Sequence, residues 1–343
     1  MANKRIERFN IMKKYIIRPL KVSEYNVWDR FVLQSPQGSL FALSDWLQSS
    51  GEEPVIFGCF RRDNLVAGLP LTCRTLKFGL RVGAHPPLTP YLGILFKENT
   101  CKYVTKISAE KEMSKAIAHN LKEEFAAINF NFPPAVVDLQ PFIWEGFSSG
   151  VRYTYIISLD DMERVWTEME DTRMRNIRRA EKDGIYVDDE AKFEELFTLV
   201  EKTFQRQKME IRFRTAAFRY NSMLEKKGWC RSFVARDKDG VPIAGVYIIW
   251  DWNRSYYLLG GYDPKRSHHG ATALAMWTAI RFTKEELGLS EFDFEGSMLP
   301  QVEQFFRKFG GRLTPYYFVS WMPRTLKAAL FVKQKLFRIL RWR

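Results

Sequence analysis

The residues with the most to offer chemically lie late in the chain. In EFDFEGS (291–297), two-residue alternation places Phe292 and Phe294 on one face of a strand and Asp293 and Glu295 on the other. A carboxylate at the C-terminal end of a strand can hold or deprotonate an amine nucleophile, so Glu295 and Asp293 are candidate catalytic groups. The plainer reading is an edge charge paired with a neighbouring Arg or Lys. Upstream, LLGGYDPKRSHHGATALAMWTAI (258–280) runs from a strand ending in glycines through a polar loop into an amphipathic helix. Backbone N–H groups at Gly260 and Gly261 would polarise a carbonyl, and Gly270 would admit an anion to the helix start. Tyr262, His268 or His269 would serve the leaving group. A structural loop is the competing reading. In TRMRNIRRAEKDG (172–184), Arg175, Arg178, Arg179 and Lys182 fall at i, i+3, i+4 and i+7 on one helix face. That face would grip phosphates, or stay solvated with Glu181 and Asp183 as partners.

Other patterns exclude chemistry. Gly146-Phe-Ser-Ser-Gly150 matches the nucleophile pattern G-x-S-x-G, but the β-rich VRYTYIISL follows it, so the strand-to-helix elbow is missing. No GK[ST] phosphate loop is present, which removes P-loop chemistry. His268-His269 has no ligand-spaced partners, and Cys59, Cys73, Cys101 and Cys230 are scattered without a C-x-x-C pair. These spacings predict no metal and a reduced, cytoplasmic setting.

The elements that must position these groups read as an α+β protein. YIIRPL opens with a strand, Ser23 caps a helix carrying Trp28 and Phe31, and a second helix runs from Ser39 to Ser49. PVIFGCF, NLVAGLPLTCRTL and PYLGILF form an antiparallel meander, AEKEMSKAIAHNLKEEFA a helix, and AVVDL a short strand. After a PFIWEGFSSG linker, the second half offers strands at YTYIISL and IYVDDE. Two helices (AKFEELFTLVEKTFQRQ, FRTAAFRYNSMLEKKG) and three strands joined by DKDG and DWNR turns follow. The 270–288 helix, EFDFEG, the PQVEQFFRKFGG helix and PYYFVSWM complete the unit. The order strand, two helices, antiparallel hairpins, helix, strand therefore occurs twice. It divides the chain into a first domain, 1–150, joined by a C-terminal helix at 320–343, and a second, 151–319.

At 343 residues, two domains are the expectation, and 46% hydrophobic, 15% aromatic and 27% charged residues are globular proportions. The formal charge of +13 is concentrated at the ends: residues 1–14 carry +4, residues 324–343 carry +7, and the body keeps only +2. This argues against a protein that coats nucleic acid uniformly. The tail, TLKAALFVKQKLFRILRWR, spaces Leu326, Leu330, Phe337 and Leu340 against its cations, as in an interfacial helix drawn to anionic lipid. Packing of its apolar face on the body is the alternative. No apolar run approaches a membrane span or a signal peptide.

NIRRAEKDGI, LLGGYD, EFDFEGS and VEQFFRKFGG, with HPPLTPYLGIL in the first half, resemble the FemA/FemB/FemX family over nearly the whole chain. The resemblance implies two tandem GNAT-like domains and N-acyl transfer, in Fem enzymes from aminoacyl-tRNA to an amine of a peptidoglycan precursor. It would place Arg175, Arg178 and Arg179 near precursor phosphates or the tRNA end. Where Fem enzymes usually show Lys before x-x-F-G, this chain has Phe306, with Arg307 and Lys308 beside it as substrate-binding candidates. The expectation is an acyltransferase with no tightly bound cofactor, using acyl-CoA or aminoacyl-tRNA as co-substrate and a cell-wall or cell-surface amine as acceptor. It would act in the cytoplasm or on the inner membrane face. An acetyl-CoA-dependent N-acetyltransferase for a small amine or sugar, and a non-catalytic protein docking on membrane or RNA, remain alternatives.

Overall fold

The computed structural model describes residues 14–328. The chain divides into two compact units, Met1–Val151 with Tyr316–Arg343, and Arg152–Pro315. The basic leader, and the expected amphipathic helix beyond residue 328 with Leu330, Phe337 and Leu340, lie outside the described residues.

The first unit contains β1 (Ile16–Pro19), α1 (Tyr25–Gln34), α2 (Ser44–Ser49), β2 (Glu53–Arg61), β3 (Asn64–Thr75), β4 (Arg81–Ala84), β5 (Leu95–Phe96), α3 (Tyr103–Glu124), β6 (Ala127–Asn131) and α4 (Gln140–Trp144). The sheet runs β1-β2-β3-β4-β6, with β5 on β3. Strands β1 to β4 pair antiparallel, whereas β4 and β6 pair in parallel across the α3 crossover. The middle of β2 is buried residue after residue because both sheet faces are covered, so its apolar run does not alternate. Trp28 and Trp46 are fully buried and each finds an acceptor for its indole N–H, Trp28 on the Ala42 carbonyl at 2.8 Å and Trp46 on Thr89 Oγ1 at 2.9 Å.

Three local expectations change. A 3₁₀ turn at Val22–Glu24 precedes α1, so Ser23 is not its cap. The 39–49 segment breaks at extended Leu43 into a 3₁₀ turn and α2. AVVDL forms no strand: the strand is AINFN, and Pro133 and Pro134, which have no N–H to give a ladder, follow its end.

The second unit contains β7 (Ser148–Ser158) from Arg152 onward, α5 (Met162–Thr167), α6 (Asp171–Lys182), β8 (Tyr186–Asp188), α7 (Phe193–Arg206), α8 (Arg214–Lys227), β9 (Cys230–Arg236), β10 (Pro242–Trp250), β11 (Ser255–Tyr262), α9 (Ala271–Glu285), β12 (Glu291–Asp293), α10 (Pro300–Arg307) and the start of β13 (Arg312–Trp321), whose residues from Tyr316 belong to the first unit and pair with β6. Its strand order is β7-β12-β11-β10-β9-β8. Antiparallel pairing from β8 to β11 gives way to a parallel pair, β11 with β12, across α9. Ser148 begins a strand, so the G-x-S-x-G pattern has no elbow. One core joins Val246 and Ile248 of the sheet to Ile177 and Ala180 of α6, the alanine-rich face of α9, and Phe306 and Phe309. From β8 to α10 the second unit repeats the order of element types found from β1 to α4, apart from β5.

Candidate active site

Strands β11 and β12 pair at only two positions, Ser255 with Phe292 and Tyr256 with Asp293. Beyond them β11 continues along β10 to Tyr262, while β12 ends at Asp293 and the chain turns away. The two strands part there, leaving one side of β11 without a strand partner.

Two local features place side chains at this parting. The first is a β-bulge. Leu259 faces Tyr247 and Tyr257 faces Ile248, so Leu258 is the extra residue. In a regular strand residues three apart point to opposite faces; the bulge puts Tyr257 and Gly260 on the same one. The Tyr257 hydroxyl fills the space a side chain at position 260 would take, since a Cβ there would lie 2.2 Å from the phenol oxygen. The Tyr257 ring packs edge-on against Phe306, with centroids 5.4 Å apart, and Phe306 stacks on Phe294 at 5.0 Å.

The second is the turn after β12. Asp293 is fully buried; it accepts from Thr154 Oγ1 at 2.7 Å and from the Glu295 amide at 2.8 Å, and Arg254 stands 3.7 Å away. These contacts hold Glu295 in a left-handed conformation, φ 56°, which costs a non-glycine residue about 1–3 kcal/mol. Gly296 follows at φ 72°, pressed so close to β7 that a Cβ would lie 2.0 Å from the Tyr153 carbonyl oxygen. The alternation that set Asp293 and Glu295 on one strand face ends at Asp293, because a left-handed residue cannot continue a strand. Glu295 Oε1 is buried and has no hydrogen-bond partner. Burial first, and the Asp293 charge second, push the Glu295 carboxyl well above the ordinary carboxylate range. Burial first, and then the charge of Glu295, raise the Tyr257 phenol in turn.

The remaining candidates take other places. Gly260 and Gly261 lie within β11, opposite Val246 and Gly245, and not at a strand end. A Cβ at Gly261 would come within 2.4 Å of the backbone of Leu199 and Val200, so this glycine admits helix α7 to the sheet. The Tyr262 amide donates to Thr203 Oγ1 at 2.9 Å, and its ring carries the Arg206 guanidinium at 4.9 Å. Gly270 meets the backbone of α6, where a Cβ would lie 2.0 Å from the Asn176 carbonyl oxygen. His268 Nδ1 accepts from the Gly270 amide at 3.1 Å, which leaves Nε2 to carry the proton toward Asp183 at 3.2 Å; His269 stacks on its ring. Arg175, Arg178, Arg179 and Lys182 are exposed along α6, Arg179 paired with Asp183 and Arg178 lying over Trp166. Arg307 pairs with Glu303 at 3.2 Å and Lys308 with Glu170 at 2.8 Å. Among the described residues no cluster of His, Cys, Asp or Glu is arranged to hold a metal.

The structure thus brings Glu295, Asp293 and Gly260 to one place and keeps the histidines and the basic face elsewhere. Sequence reasoning missed Tyr257, whose role depends on the bulge, and Thr154, which is far from Asp293 in sequence.

Residues 151–307 match the acetyltransferase (GNAT) domain family. No curated protein sequence matches the chain. Among solved structures it is similar to FemX, with TM-score 0.68 and 15% identity over 91% of this chain and 99% of that one. It is also similar to L-PGS from Bacillus licheniformis (TM-score 0.56, 13% identity, 93% of this chain and 98% of that one). A third is a tandem GNAT protein from the clavulanic acid biosynthesis pathway (TM-score 0.53, 10% identity, 90% and 98%). At such identities the likeness is one of fold. The chain has a FemX-like tandem GNAT fold, within which residues 151–307 match the acetyltransferase (GNAT) domain family.

Proposed function

We propose that the protein is an N-acyltransferase that works where β11 and β12 part, with an amine on a cell-wall or cell-surface precursor as acceptor. The observation that carries this reading is Glu295: a buried carboxyl oxygen without a partner, on a strained backbone, beside a phenol that keeps its proton. The amine lone pair attacks the acyl carbonyl carbon, and the departing N–H proton passes to the Glu295 carboxylate. The Tyr257 hydroxyl donates a hydrogen bond to the charge that develops on the carbonyl oxygen or the leaving atom. As the tetrahedral intermediate collapses, the bond to the donor's sulfur or oxygen breaks, the leaving atom takes up the proton held by Glu295 and departs as a thiol or alcohol, and the amide remains. Asp293 acts as a positioning residue, holding the Glu295 amide and keeping the carboxyl's proton affinity high.

The donor is a thioester or an ester. The GNAT family match supports acyl-CoA, and the FemX-like fold supports aminoacyl-tRNA. At the start of α9, the Gly270 and Ala271 amides already donate to His268, which favours a donor that does not rely on them for its phosphates. Adding acetyl-CoA, or charged tRNA with and without RNase, and measuring the melting temperature separates the two. A shift with either, lost when turnover substrates are exhausted, is the expected result. A shift with neither, together with binding to anionic vesicles, would replace acyl transfer with a docking role.

A further inference from the structure

The buried cation of the second unit is Arg173, outside the exposed basic face. Only 5% of it is exposed. Its guanidinium lies 4.2 Å from the Phe305 ring centroid and 4.6 Å from that of Phe309, and donates to the Phe305 carbonyl at 3.1 Å. Its Nε is buried with no partner, and no carboxylate forms an ion pair with it among the described residues; Glu170 acts on it only at longer range. A guanidinium has five N–H donors, and burying its charge without a counter-ion in contact is costly. Burial draws its pKa down to about 10, so it remains charged at neutral pH.

Arg173 lines a surface depression of about 240 Å³ between α6 and α10, with Thr172, Asn176, Gln301, Gln304 and Lys308. Each of these side chains can donate a hydrogen bond, and the Phe305 ring completes the lining. The carboxylate nearby, Glu170, is engaged by Lys308 at 2.8 Å and by the Thr172 hydroxyl. The volume falls below the roughly 300 Å³ at which sites for whole small molecules begin, so it suits one group of a larger ligand. At 100° per residue, Asn176 and Thr172 lead round α6 to Arg179 and Arg175, so the depression opens onto the exposed basic stripe. The guanidinium N–H groups that the Phe305 carbonyl leaves free, together with the Lys308 ammonium and the side-chain amides around them, match a tetrahedral oxyanion.

We propose that the depression between α6 and α10 is a phosphate subsite, in which Arg173 holds the phosphate of a phosphate-ester ligand and Lys308, Gln301 and Gln304 form its rim. Binding there is read without turnover, so the subsite and acyl transfer fail separately. The test is calorimetric titration of the full chain with inorganic phosphate and pyrophosphate at constant ionic strength. Saturable binding is expected, weakened at least about tenfold by Arg173→Lys, which keeps the charge and loses the fork. Should that variant fold poorly, Gln304→Glu on the exposed rim gives the same loss with an unchanged melting temperature. Displacement of phosphate by phosphatidic acid vesicles would assign the group to a lipid, and displacement by soluble monoesters alone would assign it to a soluble substrate; both support the subsite. Absence of saturable binding in the unaltered protein, or unchanged binding in Gln304→Glu, overturns it and leaves Arg173 as a packing clamp between α6 and α10.

Discussion

The two units solve the same architectural problem and end it differently. In each, an antiparallel meander is followed by a crossover helix and a parallel strand: β4 with β6 in the first, β11 with β12 in the second. In the first unit the place beyond the parallel pair is closed. Leu92 donates its amide to the Asn131 carbonyl at 2.9 Å, and Asn131 Nδ2 donates to the Pro90 carbonyl at 2.9 Å. Phe132 is fully buried against Phe130 and Phe142, with Gly93 passing over it. In the second unit the strands part around a carboxyl, a phenol and a glycine. The GNAT family match covers only that half. One scaffold therefore serves as packing in one place and holds the proposed active site in the other, and the residues after the parallel strand make the difference.

The strongest way to break this contrast is to treat both places alike. Glu295→Gln is expected to lower kcat/KM by about 10²–10⁴-fold while the fold is retained, as loss of a general base does. Steady-state kinetics with circular dichroism checks it, and near-normal turnover would remove Glu295 from the mechanism. Phe132→Ala should cost about 3–5 kcal/mol of stability in denaturant unfolding, with turnover per folded molecule unchanged. A specific loss of activity instead would give the first unit a share in the chemistry. Gly260→Ala makes the Tyr257 hydroxyl move, because a Cβ would stand 2.2 Å from it. Turnover should fall by up to about 10²-fold, with a smaller effect on stability because a side-chain tip yields more readily than backbone. If Tyr257→Phe then adds nothing further, the two changes act through one hydroxyl.

The smallest effect concerns pH. Above the ordinary carboxyl range, folded Glu295 keeps a proton that the unfolded chain has released. Its contribution to stability is therefore largest at low pH and falls as pH rises toward the raised folded value. Thermal melts of Glu295→Gln should lack that decline, and kcat/KM of the unaltered protein should rise through the same window. Parallel pH curves for the two proteins would show that the carboxyl titrates normally.

Much of this was open to inspection in the residues alone. The repeated order of elements, the short apolar strands and the place of Asp293 follow from periodicity within single segments, whereas Glu295 lies past the end of its strand. The basic α6 face was legible for the same reason, as four cations sharing a side of one helix. Arg173 was not singled out by that spacing, and the structure places it on the helix face of Ile177 and Ala180, both buried. The segment that misled most, AVVDL, has β-forming residues but lies in a connection, since its partner position is taken by AINFN.

What the sequence by itself determined is which residues share a face of one element, because that depends only on spacing along the chain. The tertiary structure decided the rest. The bulge at Leu258 exists only in the pairing of two strands, and without it Tyr257 and Gly260 would face opposite ways. The proton affinity of Glu295 and the burial of Arg173 depend on Asp293, Thr154, Phe305 and Phe309, which reach them through the folded chain. Desolvation is a property of surroundings, and surroundings are assembled from segments far apart in sequence.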